Sequence, residues 1–126
     1  PPTPAVGWGL GLERLTSVLT ARYPELTGSL TIPRAYIVHS EPATAVAFEL
    51  RRTLADTGWA LDMDARQDGF GKQLARASRR GARMALILGE DEIVAGTCTI
   101  KDLASGSQST VPLAAVPDCL ASADRK

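Results

Sequence analysis

The spacing of hydrophobic positions changes several times along the chain, and each change predicts an element. In residues 5–11 glycine alternates with larger side chains, so Gly7, Gly9 and Gly11 share one face of a pleated strand while Trp8, Leu10 and Leu12 pack the other way. Leu12, Leu15, Val18 and Leu19 then recur at helical spacing, and Pro24 stops that helix at about Tyr23. Residues 25–33, with Gly28, Ser29 and Pro33, are small and polar and read as a linker. A boundary is therefore expected there, with a first piece over 1–32 and a second over 33–126.

After Pro33 the pattern becomes strand, helix, strand, helix, strand, the signature of a parallel sheet built from right-handed crossovers. The first strand spans 35–38. Ser40, Glu41 and Pro42 carry helix-start chemistry, and Val46, Leu50 and Leu54 form the buried stripe of a helix that Gly58 ends. Trp59, Leu61 and Met63 alternate with Ala60, Asp62 and Asp64 as a half-buried second strand. Gly69 and Gly71 flank Phe70 in a loop that feeds a helix over about 72–80, with Gly81 at its end. Residues 84–88 are unbroken apolar, as expected of a central strand covered on both faces. Gly89, Glu90, Asp91 and Glu92 read as a polar turn, 97–103 and 108–113 as an edge hairpin around Ser105 and Gly106, and 114–121 as a short closing helix.

Composition narrows the class. A chain of 126 residues supports one sizeable core, and 44% apolar with 22% charged residues is ordinary for a globular protein. No apolar run approaches a membrane span and no signal peptide is visible. The start, Pro1-Pro2-Thr3-Pro4, has no initiator methionine and runs directly into a strand, which suggests a beginning inside a larger protein. Cys98 and Cys119 are too few for a disulfide framework and lack metal spacing with the single His39, so no metal and a reduced, cytoplasmic setting are expected. Fourteen basic and fourteen acidic residues balance to +0, which gives no general argument for a nucleic-acid partner. Locally the balance is different: Arg66, Lys72, Arg76, Arg79, Arg80 and Arg83 face the single acidic Asp68.

Several groups could carry chemistry. The bare glycine face would let a planar base approach the backbone, and Arg14, in the first turn of the following helix, would favour phosphate oxygens. The alternative is a glycine strand packed tightly beneath another element. These glycines lie inside the strand, not at a strand-to-helix turn, so they are not a dinucleotide-binding fingerprint. Lys72, Arg76, Arg79, Arg80 and Arg83 fall at helical offsets, so most of them share one side of the helix, either as a solvated face or as a phosphate-binding one. The preceding loop adds Gln67, Asp68 and Phe70, which bring base-edge hydrogen-bonding groups and a stackable ring to the carboxyl end of a strand. Asp62 and Asp64 read as the polar face of a strand, His39 as a capping residue and Cys98 as packing. Glu90, Asp91 and Glu92 lack the spacing of a calcium loop and read as an acidic turn.

Taken together, the start TPAVGWGLGLERL and the stretch DARQDGFGKQLARASRRGARMALILGEDEIVAGTCTIKDLASGSQSTVPL resemble the carboxyl-terminal part of the bacterial-type histidyl-tRNA synthetases over nearly the whole chain. The resemblance implies a motif 3 strand and helix from a class II catalytic domain, then an anticodon-binding domain, an α/β fold with a mixed five-stranded sheet and helices on its faces. It implies that Gly7, Gly9 and Gly11 face adenine and that Arg14 is the catalytic arginine on the ATP phosphates. Glu92 and Lys101 match base-reading positions of the sister threonyl enzymes, and Gln67 falls near a third reader. All three are expected on one side of the sheet. With Phe70, Lys72, Arg76 and Arg80 they make up the expected RNA-binding set. The intact enzyme would be a homodimer that uses ATP and Mg2+ to join histidine to a histidine-specific tRNA, with neither DNA nor a membrane as partner. Motifs 1 and 2 and the histidine-binding segments are missing, so this chain alone is expected to be inactive and its anticodon-binding domain to need no cofactor.

Two other readings remain open at this point. One is a non-catalytic regulatory protein resembling histidyl synthetases, either a partner of ATP phosphoribosyltransferase or a sensor of uncharged tRNA. The other is a small-metabolite-binding α/β domain, which predicts a pocket without RNA affinity.

Overall fold

The computed structural model describes residues 4–25, 34–55 and 59–123, and the chain divides into two units, Pro1–Thr31 and Ile32–Lys126. In the first unit the helix α1 (Leu12–Arg22) follows Gly11, whose extended backbone (φ −80°, ψ 105°) caps it. Glu13 in its first turn and Arg22 in its last complement the helix dipole. The apolar stripe Leu12, Leu15, Val18 and Leu19 is exposed, and no residue of α1 is buried. The expected glycine strand is corrected: residues 4–11 form no strand. A strand needs a neighbour to take its N–H and C=O groups, and the described part of this unit holds none.

The second unit is built on five strands: β1 (Ala35–His39), β2 (Leu61–Met63), β3 (Met84–Leu88), β4 (Thr97–Asp102) and β5 (Gln108–Pro112). They form one mixed sheet in the order β2-β1-β3-β4-β5. β1 runs parallel to β2 and β3, while β3–β4 and β4–β5 are antiparallel. The helices are α2 (Thr44–Ala55), α3 (Phe70–Arg79), α4 (Glu90–Ala95) and α5 (Val116–Ala123).

Side-chain alternation divides the core between the two sheet faces. Ile37, Leu86, Leu88, Cys98 and Ile100 pack with Ala47, Leu50 and Leu54 of α2 and with Val116 and Leu120 of α5. Tyr36, Val38 and Ala85 pack on the other face with Leu74 and Ala77 of α3. Leu54, Leu86, Leu88 and Leu120 are fully buried, each worth about 1.5–3 kcal/mol of hydrophobic stabilisation. β1 is buried along its whole length, as the apolar composition of a doubly covered strand requires.

Three further expectations are corrected. Helix α3 starts at Phe70, so Gly71 lies inside it and Gly69 is its N-cap. The acidic run after β3 is the first turn of α4, where three carboxylates meet a helix N-terminus. The last helix is a 3-10 turn over Leu113–Ala115 followed by α5. Gly58 and nearly all of the expected linker lie outside the described residues. Gly81 and Gly106 adopt left-handed backbone (φ 70° and 76°), ending α3 and turning the β4–β5 hairpin.

Candidate nucleic-acid interface

The order β2-β1-β3 makes the connections after β1 and β3 diverge, and that divergence opens a crevice at the carboxyl ends of these strands. The crevice measures about 250 Å³ and is lined by His39, Ser40, Glu41, Gln67, Asp68, Gly69 and Phe70. The Gln67 amide nitrogen, in the orientation its surroundings require, donates to both Glu41 carboxylate oxygens at 3.2 Å. Phe70 is part-exposed at the first position of α3. Gly89, just after β3, allows a close approach beside Phe70: a Cβ there would stand 3.5 Å from Phe70 Cζ and 2.7 Å from Glu92 Oε2.

Behind this crevice lies a polar network centred on α3. Gln73 is fully buried, accepts the His39 backbone N–H at 3.0 Å and donates to His39 O at 2.8 Å and to Asp68 O at 2.6 Å. Arg76 meets Asp64 at 2.6 Å through Nε and Asp68 at 2.7 Å through Nη2. Arg80, the C-cap of α3, pairs with Asp62 of β2. Hydrogen bonding from Arg76 holds the Asp68 carboxyl below the usual carboxylate range and raises the arginine in return. Burial pushes the Tyr36 phenol up, opposed first by hydrogen bonding from the adjacent Arg76 guanidinium.

On β4, Thr99 and Lys101 project from the face that carries Tyr36, Val38 and α3, since they pair in register with Ile87 and Ala85. Glu92 reaches this row: Oε1 accepts from Thr99 Oγ1 at 2.9 Å and Oε2 from the Gly89 backbone N–H at 3.0 Å. The same hydroxyl of Thr99 lies 2.9 Å from Thr110 Oγ1 on β5.

The structure therefore brings Gln67, Phe70 and Glu92 to one end of the sheet and places Lys101 two residues further along β4 from Thr99. Lys72 is 77% exposed and only loosely paired, 3.7 Å from Asp68. The expectation that Arg76 lies on a phosphate-binding face is corrected. Its side chain is 14% exposed and its guanidinium is held by two aspartates from the β2–α3 connection. Arg80 is more open but also carries a carboxylate partner. Gly7, Gly9, Gly11 and Arg14 all belong to the first unit, with open space where a Cβ on Gly7 or Gly9 would stand. Cys98 is buried and its thiol is pushed up to about 12, chiefly by that burial. Both ring nitrogens of His39 lie at backbone oxygens, 3.0 Å from Ser40 O and 3.2 Å from Asp64 O.

Two further residues take part that the sequence pattern does not single out for this site: Glu41, whose pattern marks only a helix start, and Gln73. The available signal for Gln73 was its position four residues before Ala77, on the buried stripe of α3. Among the described residues there is no cluster suited to a metal ion, and no helix is long and apolar enough to cross a membrane.

Comparison with known proteins places this geometry. The family model described as an anticodon binding domain matches residues 35–122. Histidine–tRNA ligase from Natranaerobius thermophilus is 38% identical over 113 residues, 90% of this chain and 27% of that protein. The enzyme of the same name from Halorhodospira halophila is 46% identical over 115 residues, 89% of this chain and 26% of that protein. The crystal structure of histidyl-tRNA synthetase from Nostoc sp. PCC 7120 superposes with a TM-score of 0.67 at 26% identity, covering 88% of this chain and 27% of that one. The RNA binding domain of threonyl-tRNA synthetase from Cryptosporidium parvum shares the fold, with a TM-score of 0.67 at 20% identity over 88% of this chain and 28% of that one. The chain spans about a quarter of the length of the histidine–tRNA ligases it matches. With most of its length matched and the five-stranded mixed sheet in place, the chain belongs to the anticodon-binding domain family, and it is similar over most of its length to part of the histidine–tRNA ligases.

Proposed function

We propose that this chain reads the anticodon loop of a histidine-specific tRNA, and that within its whole protein it serves ATP-dependent attachment of histidine to that tRNA in the cytoplasm. The observation that carries the reading is the crevice at the carboxyl edge of the parallel strands, where an amide, two carboxylates and an aromatic ring stand together. A base splayed from single-stranded RNA stacks on Phe70, and its edge meets Gln67, Glu41 and Glu92. Carboxylates accept from the N–H edge of guanine, and the Lys101 ammonium donates to a base carbonyl. Exposed Lys72, in the first turn of α3, draws the phosphates toward this end of the sheet, and exposed Arg79 extends the basic surface to the far end of the helix.

The first unit supplies one wall of an ATP site. Support comes from the open space beside Gly7 and Gly9, which leaves backbone accessible to an adenine ring, and from Arg14, exposed in the first turn of α1. ATP with Mg2+ provides the activated phosphoanhydride in the whole enzyme, a homodimer. Here the glycines admit the base and Arg14 pairs with phosphate oxygens.

Affinity for a histidine anticodon stem-loop, against the same loop with its guanines replaced, tests the reading. The natural loop is expected to bind more tightly by about tenfold or more; equal affinity overturns it. Histidine-dependent ATP–pyrophosphate exchange is expected to be absent from the chain alone, because motif 3 is only part of that site.

A further inference from the structure

The strand β2 ends early. Its last register pair with β1 is Met63 with Ile37, two residues before β1 itself ends at His39. Ala35 N–H donates to Ala60 O on the β2 side, and Ser40 N–H donates to Leu88 O on the β3 side. By this alternation the N–H and C=O of His39 both point to the β2 side, where no strand residue remains to take them. The Gln73 amide takes both, at 3.0 and 2.8 Å, and so occupies the place of the missing peptide group. Its second N–H is given to Asp68 O at 2.6 Å, which completes the hydrogen-bonding capacity of a fully buried NH2 group.

One turn along α3, Arg76 acts on the same connection from a second point. Its guanidinium holds Asp64 at the start of the loop and Asp68 near its end. Asp64 Oδ1 also accepts the Arg66 backbone N–H at 3.0 Å, so the loop is folded back on its first anchor. Gln67 lies between the two anchors and faces the crevice.

We infer that Gln73 and Arg76 are positioning residues: together they lock the 64–68 connection to the end of β1, and so fix the direction in which Gln67 meets a base. The inference rests on the anticodon reading for its purpose, while the lock itself is a property of the free protein. Neither side chain touches RNA. Both act through the loop, and a loop pinned at two points presents its side chain without an ordering cost on binding. Arg76 thereby leaves the set of phosphate contacts and joins the machinery that orients Gln67.

The test uses the full chain with Gln73→Leu, Gln73→Glu and Arg76→Lys. The leucine removes all three hydrogen bonds, the glutamate keeps only the acceptor for His39 N–H, and the lysine keeps a charge without bridging both aspartates. Amide hydrogen exchange is read at His39 and Arg66, with Leu86 in the central strand reporting that each variant is folded. Stem-loop affinity is then measured for natural and guanine-replaced loops at several salt concentrations. The expected result is faster exchange at Arg66 in every variant, at His39 with Gln73→Leu above all, and unchanged protection at Leu86. Preference for the natural loop should fall by roughly tenfold with an unaltered salt slope, because the phosphate contacts are intact.

Unchanged exchange at both amides, or faster exchange with preference intact, overturns the inference. A mere loss of global stability would raise exchange at Leu86 as well and leave the preference of the folded fraction untouched, which also counts against positioning. A wild-type chain with no preference overturns the anticodon reading instead, and the lock is then decided by the exchange rates alone.

Discussion

Glu92 and Thr99 are joined by a hydrogen bond of 2.9 Å, and the other oxygen of the same carboxylate caps α4 at the Gly89 N–H. One side chain thus ties the short helix to the strand beside it. Each carboxylate oxygen keeps a second lone pair, so capping and base reading are compatible at the same residue.

Glu92→Gln separates these roles. The amide retains one acceptor and loses the other, which costs about 1 kcal/mol of stability whatever the RNA does. If Glu92 reads a base, affinity for the natural stem-loop should fall further than affinity for a loop with that base replaced. Equal loss on both would reduce Glu92 to a cap and a bridge.

The basic residues give a second expectation, different from the one their spacing alone suggests. Arg80 is paired with Asp62, whereas Lys72 and Arg79 are exposed and held only weakly, Arg79 by the Ala75 carbonyl at 3.3 Å. Replacing Lys72 and Arg79 together by alanine should flatten the dependence of stem-loop affinity on salt by roughly 1 to 2 units, since each phosphate contact in single-stranded RNA contributes about 0.7. Arg80→Ala should change the slope by less than about one such contact. A larger effect from Arg80 than from the exposed pair would show that its ion pair opens on binding.

These outcomes also show where reading a sequence reaches its limit. The central strand was legible because five consecutive apolar residues from Met84 to Leu88 admit little else between two glycine-marked boundaries. The hairpin was legible from alternation on either side of Gly106. Helix α4 was not, because six residues are too few to show helical periodicity and its three leading acids look the same in a turn. The glycine strand failed for the opposite reason: its local pattern is clear, but a strand is completed by neighbours that the pattern does not contain. For Arg76 the periodicity placed the residue on the helix correctly and missed its partners, since Asp64 and Asp68 reach it through the fold of the loop. Gln73 shows the same limit, a polar residue whose use appears only when β2 is seen to stop short.

Cysteine chemistry should follow burial. Cys98 lies in the core with its thiol pushed up to about 12, whereas Cys119 is half-buried on α5. The thiolate is the reacting species, so at about pH 8 almost none of Cys98 is available in the folded chain. Alkylation with iodoacetamide under native conditions should modify Cys119 and leave Cys98 intact until denaturant is added. Rapid modification of Cys98 in the native protein would contradict its placement.

Acid should loosen the second unit through two carboxylates. Asp68 is held below its ordinary range first by the hydrogen bond from Arg76, and Asp102 first by the Ser105 backbone N–H, with Ala104 N–H adding to it. A carboxyl whose folded value is depressed contributes stability that is complete above its unfolded value, near 3.9, and is lost as pH falls toward the folded value, because the unfolded chain binds protons first. The thermal midpoint should therefore be flat from about pH 7 to 5 and decline below about pH 4. Asp102→Asn keeps an oxygen that accepts the same two N–H groups but no longer titrates, so its decline should be shallower than that of the wild type while its midpoint at neutral pH changes little. Asp68→Asn should flatten the decline as well, with a lower midpoint at neutral pH because Arg76 loses a charged partner. An acid profile identical in both variants and in the wild type would mean that other carboxylates govern the transition.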